Sequence, residues 1–212
     1  MMRNTVIISL MVVVAMSCQT KKKESTDKVN QESTAVEQEQ AANKVFYTKE
    51  LKLQGITFTV SAAKENGFSK MTVNTSGLEI QEFNEAFDIT GSRIVNAEVE
   101  DLNSDGSPEL LIFTQSDGSG SYGEVYAFSV NNLKSMSQVY FPPVADNEQL
   151  NKGYMGHDEF AIVETKLVQR FPKYNDGDSN ANPTGGLRQV SYQLVDGEAS
   201  RHFKEVSVTD VE

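Results

Sequence analysis

The sequence predicts an all-β fold: a single antiparallel β-sandwich domain of about eight strands, preceded by a disordered tether. From residue 45 onward, short apolar stretches recur about every 8–12 residues between turns rich in Gly, Asn and Asp, as is typical of sandwiches and barrels. Ile56–Val60 alternates apolar and polar residues, which indicates a half-buried strand. A chain of 212 residues with 38% hydrophobic and 23% charged residues is neither a coiled coil nor wholly disordered.

The candidate strands follow one another along the chain from residue 46. They are Phe46–Leu53, Ile56–Val60, Met71–Val73, Leu78–Ile80, Phe87–Ile89, Val95–Val99, Leu110–Phe113, Tyr126–Val130, Met136–Phe141, Phe160–Phe171, Gln189–Leu194 and His202–Val206. Leu110–Phe113 is a continuous apolar run, which predicts a strand buried on both faces. Only Glu82–Phe87 and Asn147–Lys152 show brief helical character.

The first 17 residues have the pattern of a lipoprotein signal peptide. Arg3 precedes the ten-residue apolar run Val6–Ala15, which is too short for an ordinary transmembrane helix. Ala15 and Ser17 before Cys18 resemble a bacterial lipoprotein processing site, in which the cysteine carries the lipid. We therefore expect an exported lipoprotein, anchored at the outer membrane and facing the periplasm or the cell surface. The alternative is an ordinary signal peptide followed by an unpaired cysteine.

Residues 18–44 are predicted to be a disordered tether, and residues 45–212 the folded domain. The segment from 19 to 44 has no aromatic residue and only two valines, so it cannot form a core. Its acidic and basic residues are equal in number, which leaves 13 basic and 25 acidic residues in 45–212, a net charge of about −12. This acidic balance excludes a nucleic-acid binder, which needs a basic surface for phosphates, and favours a cationic partner.

The loop from 101 to 109 is a candidate cation site. Its oxygen-bearing side chains are Asp101, Asn103, Asp105 and Glu109, spaced around a turn at Gly106. Alternate oxygen ligands suit calcium. It is not an EF-hand, because Ile112 stands where a bidentate Glu is required. The spacing resembles the calcium loops of integrin-type propellers, but it occurs once. The alternative is a tight turn in which these side chains bond their own backbone.

The loop from 116 to 123 is a candidate binding loop. It contains three glycines in six residues, which keep the loop slim and allow it to enter a cleft. Ser119 and Tyr122 supply hydroxyl groups that can both donate and accept hydrogen bonds. The alternative is a long hairpin loop with one aromatic side chain folded back onto the sheet.

Several motifs together resemble the periplasmic inhibitors of invertebrate-type (I-type) lysozyme. They are Ala97–Glu109, Gly118–Gly123, Gly153–Phe160, Arg170–Tyr174 and Pro183–Arg188, and their order is more specific than any one of them. The resemblance covers roughly residues 45–205. It implies a β-sandwich that inserts a Ser-Gly-x-Tyr loop into the active-site cleft of the enzyme. Here that pattern falls on Ser119, Gly120, Ser121 and Tyr122.

The resemblance implies a lysozyme inhibitor that protects bacterial peptidoglycan and is not itself an enzyme. Its partners would be an I-type lysozyme and, through the lipid on Cys18, a membrane; a homodimer is a further expectation. No cofactor is expected apart from Ca²⁺ at the 101–109 loop. The alternative function is a calcium-dependent module for binding or adhesion at the cell surface, using Asp101–Glu109.

The remaining polar motifs give little support to an enzyme. His157, Asp158 and Glu159 are adjacent, and neighbouring residues of an extended segment point to opposite sides, so they rarely converge on one atom. The sequence has no Gly-x-Ser-x-Gly elbow, no His-Glu-x-x-His pair and no phosphate loop. The Gly- and Asn-rich stretch from 175 to 186 is predicted to be a mobile loop.

Overall fold

A computed structural model describes residues 44–211, and Cys18, the signal peptide and all but the last residue of the predicted tether lie outside this range. The described residues form twelve strands and one 3₁₀ turn at Val144–Asp146. The strands are β1 (Lys44–Leu53), β2 (Ile56–Glu65), β3 (Phe68–Ser76), β4 (Asn84–Asp88), β5 (Ser92–Glu100), β6 (Glu109–Ser116), β7 (Gly123–Asn131), β8 (Ser135–Val139), β9 (Glu159–Val163), β10 (Lys166–Pro172), β11 (Leu187–Val195) and β12 (His202–Val211).

The strands form three antiparallel sheets of four, and each sheet is a simple meander. The first contains β1–β4, the second β5–β8 and the third β9–β12, and within each sheet consecutive strands are paired. Tight turns that require a left-handed backbone join several strands. Asn66 (φ 52°) and Gly67 (φ 87°), for example, connect β2 to β3.

The second sheet lies between two hydrophobic cores. Leu110 and Ile112 of β6 belong to a cluster shared with the first sheet, whereas Leu111 and Phe113 belong to a cluster shared with the third. Successive residues of a strand point to opposite faces, so β6 is buried on both sides. This confirms the prediction drawn from the continuous apolar run Leu110–Phe113, and the loop between β6 and β7 is therefore carried by buried strands.

The all-β, antiparallel prediction is confirmed, but the number of strands is twelve rather than about eight. The apolar stretch Phe160–Phe171 is two strands, separated by a turn at Glu164, whose φ is 55°. Leu78–Ile80 is not a strand: the amides of Glu79 and Ile80 donate to the carbonyls of Leu133 and Lys134. Glu82–Phe87 is not helical and lies largely in β4.

Within residues 44–211, no helix has the length and apolar character needed to cross a membrane.

Candidate functional site

The candidate binding loop, predicted for residues 116–123, connects the two central strands β6 and β7; its end residues Ser116 and Gly123 belong to these strands, so the loop itself is residues 117–122. The backbone of Ser116 donates to the carbonyl of Tyr122 (2.9 Å), and the amide of Tyr122 donates to the Ser116 hydroxyl (2.9 Å). Inside the loop, the amide of Ser121 donates to the carbonyl of Gly118 (2.9 Å), and Ser121 has a left-handed φ of 43°. The loop is therefore closed at its base and folded by its own backbone.

The two hydroxyl-bearing side chains of this loop are accessible. Ser119 is exposed, and Tyr122 is 50% exposed. The Tyr122 ring packs edge-on against Tyr154, with 5.7 Å between centroids. Within residues 44–211, neither hydroxyl takes part in a hydrogen bond. Both are free to bind an external partner, and the contact with Tyr154 restricts the orientation of the tyrosine ring.

A buried carboxylate fixes the end of the loop where β7 begins. Asp158 is 5% exposed and accepts hydrogen bonds from the Gly123 amide (2.8 Å), the Tyr154 hydroxyl (2.8 Å) and the Gln169 side-chain amide (2.7 Å). Gln169 in turn accepts from the Tyr192 hydroxyl (2.9 Å). Burial raises the pKa of Asp158, while the three donors oppose that shift. This network links the binding loop to the core of the third sheet.

The backbone of residues 156 and 157 supports the loop from the side. The amide of His157 donates to the carbonyl of Gly120 (2.8 Å). Gly156 and His157 both have a left-handed backbone, with φ of 88° and 59°. Such a conformation is costly for histidine and persists where the surroundings fix it. A Cβ atom on Gly156 would lie 2.2 Å from the Gly120 carbonyl oxygen, so only glycine allows this approach.

We expect the Gly156→Ala substitution to lower the free energy of unfolding by about 2–4 kcal/mol, because it combines backbone strain with a clash against Gly120. Gly118→Ala is the matched control, since a Cβ atom there meets nothing within 4 Å and its φ is not left-handed. The control should stay within about 0.5 kcal/mol of the wild type. Urea unfolding measures both variants, and equal stability of the two would contradict this description.

The candidate cation loop, residues 101–109, lies at the opposite end of β6 from the binding loop. Its side chains bond its own backbone. Asp101 accepts from the amides of Asp105 (3.1 Å) and Gly106 (2.9 Å), Asn103 accepts from Asp105 (3.2 Å), and Asp105 accepts from Ser107 (2.8 Å). These are the contacts of the tight turn that the sequence offered as the alternative.

The positive charge next to this loop is the guanidinium group of Arg201. Its guanidinium contacts the carboxylates of Asp105 (2.6 Å), Glu109 (3.4 Å) and Asp196 (3.1 Å) and donates to the Ser129 hydroxyl. Glu109 is 1% exposed, and burial raises its pKa to about 7. It accepts from the Ser129 hydroxyl (2.6 Å) and the Leu102 amide (2.8 Å). The loop is thus joined to the β11–β12 connection.

Within residues 44–211, no group of three or more His, Cys, Asp or Glu side chains is arranged to hold a metal ion. Glu109 and Asp105 direct oxygens toward Arg201, which leaves fewer of them for a metal. Calcium binding at Asp101, Asn103, Asp105 and Glu109 therefore stays a prediction. His157 and Asp158, adjacent in the sequence, contact the binding loop and the residue that follows it: the His157 amide bonds Gly120, and the Asp158 carboxylate bonds Gly123.

Three supports of the binding loop could not be identified from the sequence as supports. Asp158 bonds Gly123, which is 35 residues away, and Asn180 bonds Ser119, which is 61 residues away. Gly156 lies directly against the Gly120 carbonyl. The motif Gly153–Phe160 contains Gly156 and Asp158, but it did not predict their contact with the loop. Asn180 belongs to none of the motifs.

An all-β domain that presents a rigid, accessible loop on a rigid sheet has the construction of a loop-based binding module. Residues 82–152 match the model of the family described as periplasmic lysozyme inhibitor of I-type lysozyme. The match confirms the resemblance inferred from the sequence and includes the whole binding loop. It covers about a third of the chain, and the motifs Gly153–Phe160, Arg170–Tyr174 and Pro183–Arg188 lie beyond it.

A search of curated proteins and a search of solved structures each returned no match.

Proposed function

We propose that this protein is an inhibitor of I-type lysozyme that blocks the active-site cleft of the enzyme with the loop of residues 117–122. The family match, whose range contains this loop, carries the proposal. The accessible hydroxyls of Ser119 and Tyr122 and the rigid support beneath them also favour it. The protein acts by occupying the enzyme and performs no turnover of its own.

The chemistry of the loop suits the active site of a lysozyme. Glycosidases of this kind use a pair of carboxyl groups, one protonated and one ionised. A hydroxyl can donate to the ionised group and accept from the protonated one. Ser119 and Tyr122 would hydrogen-bond these carboxyls while the slim, glycine-rich backbone excludes the sugar chain. Because the loop is already ordered, little conformational entropy is lost on binding.

Charge adds to the encounter between the two proteins. The domain of residues 45–212 carries a net charge of about −12. Three exposed acidic residues lie in or near the binding loop: Asp117 in the loop, Glu124 at the start of β7 and Asp176 in the connection between β10 and β11. Many lysozymes are basic, so the acidic domain would increase the association rate and the selectivity more than the final affinity.

The protein is exported, as the family description implies for its members. We propose that the lipid on Cys18 holds it at the outer membrane and that the tether of residues 18–44 lets the domain reach a lysozyme attacking the peptidoglycan. Each methylene of the lipid that enters the membrane contributes about 0.8 kcal/mol. The expected homodimer stays a prediction.

A loop that fills the cleft must compete with the substrate. We expect increasing inhibitor to raise the apparent KM of an I-type lysozyme for a soluble oligosaccharide, with kcat unchanged. Initial-rate kinetics over a range of both concentrations measure this. A fall in kcat with constant KM would place the inhibitor away from the cleft and contradict the proposed mechanism.

A further inference from the structure

The connection between β10 and β11, residues 173–186, contacts the binding loop directly. The side-chain amide of Asn180 donates to the main-chain carbonyl of Ser119 (2.5 Å). The other side of this amide faces His157, whose Nε2 lies 3.3 Å from the Asn180 side-chain oxygen. Asn180 therefore lies between Ser119 of the binding loop and His157 of the segment that supports the loop.

This connection makes hydrogen bonds among its own residues, and its mobility stays a prediction. Asp178 accepts from the amides of Asn175 (2.8 Å) and Thr184 (2.8 Å) and from the Thr184 hydroxyl (2.9 Å). The Tyr174 hydroxyl donates to the main-chain carbonyl of Asn180 (2.9 Å), which fixes the residue itself.

The ends of the connection are bonded to each other and to Gly153, in the segment between β8 and β9. The amide of Gly185 donates to the carbonyl of Lys173 (2.9 Å), and the amide of Lys173 donates to Gly186 (2.8 Å). The amide of Tyr174 donates to the carbonyl of Gly153 (2.8 Å). A Cβ atom on Gly185 or on Gly153 would lie 2.7 Å from a backbone oxygen, so these approaches need glycine. Asn180 thus belongs to a segment that is held in place by several hydrogen bonds.

We infer that Asn180 is a positioning residue for the binding loop: its amide fixes the backbone at Ser119 and so sets where the Ser119 hydroxyl meets the enzyme. This inference rests on the proposed function for its effect on inhibition. Within residues 44–211, three hydrogen bonds from other segments reach residues 119–121: from Asn180 to the Ser119 carbonyl, from the His157 amide to the Gly120 carbonyl (2.8 Å) and from the Gln115 side-chain amide to the Ser121 carbonyl (3.3 Å). Among the described residues, the bond from Asn180 is the only hydrogen bond that Ser119 makes.

The test uses the purified protein with Asn180→Ala, Asn180→Asp and Asn182→Ala. Asn180→Ala removes the donor, and Asn180→Asp keeps the shape but presents an oxygen to the Ser119 carbonyl. Asn182 is exposed on the same connection and serves as the matched control. We expect both Asn180 variants to weaken inhibition of an I-type lysozyme by about fivefold or more, the value of one lost hydrogen bond. Asn182→Ala should inhibit like the wild type.

A second readout separates this inference from the proposed function. Amide hydrogen exchange at Ser121 and Tyr122, measured without any enzyme, should accelerate in both Asn180 variants and stay unchanged in Asn182→Ala. Unchanged exchange would overturn the positioning role whether or not the wild type inhibits a lysozyme. Accelerated exchange in a protein that inhibits no lysozyme would support the positioning role and refute the proposed function. Inhibition equal to wild type in both Asn180 variants would also overturn the inference.

Discussion

The double substitution Ser119→Ala with Tyr122→Ala should abolish most of the inhibition of an I-type lysozyme. An anchoring tyrosine at the centre of an interface typically costs about 2 kcal/mol or more when truncated. A lost hydroxyl contact adds about 1 kcal/mol. Together these losses correspond to a weakening of roughly 10²-fold to 10³-fold, read as the inhibition constant in a cell-wall lysis assay.

The same double variant should remain folded. Ser119 is exposed, and Tyr122 is half exposed, with its ring packed edge-on against Tyr154 and beside Gly120 and Gly156. Tyr140→Ala is the matched control, because Tyr140 is a similarly exposed tyrosine (57%) outside the binding loop. It should inhibit like the wild type. Tyr122→Phe separates the ring from the hydroxyl and should lie between the wild type and the double variant. Undiminished inhibition by the double variant would refute the role of the loop.

Asp158→Ala should destabilise the domain strongly. It would leave the Gly123 amide, the Tyr154 hydroxyl and the Gln169 amide without their acceptor in a buried site. An unpaired buried donor costs about 1–3 kcal/mol, so we expect the free energy of unfolding to fall by about 3–5 kcal/mol in urea titrations.

Asp158→Asn should cost much less, about 1 kcal/mol, because the hydrogen-bond network can reverse its direction. The new amide oxygen would accept from Gly123 and Tyr154, and its NH₂ group would donate to Gln169 after that side chain flips. Gln169 would then donate to the hydroxyl of Tyr192, which accepts as readily as it donates. Asp176→Ala, at an exposed position, is the control and should be neutral. An Asn variant as unstable as the Ala variant would contradict this description of the network.

Local patterns in the sequence predicted much of the fold. The continuous run Leu110–Phe113 indicated a strand buried on both faces, and the structure places its residues alternately in two cores. The brief helical character expected for Glu82–Phe87 is wrong, and Phe83 and Phe87, four residues apart, belong to an extended segment. That spacing puts side chains on one face of a strand as well as of a helix. In the structure both rings pack against Phe128, with centroids 5.3 and 5.5 Å away.

The binding loop itself could be located from its glycines and hydroxyls, but its supports could not. The bond between Asn180 and Ser119 joins residues 61 positions apart, and the bond between Asp158 and Gly123 joins residues 35 apart. Such contacts depend on how the third sheet packs against the second, which no local spacing encodes. The occupation of the 101–109 loop by Arg201 is of the same kind, since Arg201 and Asp105 are 96 residues apart.

The most direct test of the proposed function is a titration of the purified protein against invertebrate, chicken and goose-type lysozymes in a cell-wall lysis assay. We predict that it inhibits the invertebrate enzyme and inhibits the other two much more weakly. Inhibition of none of the three enzymes would contradict the central claim that this protein is a lysozyme inhibitor.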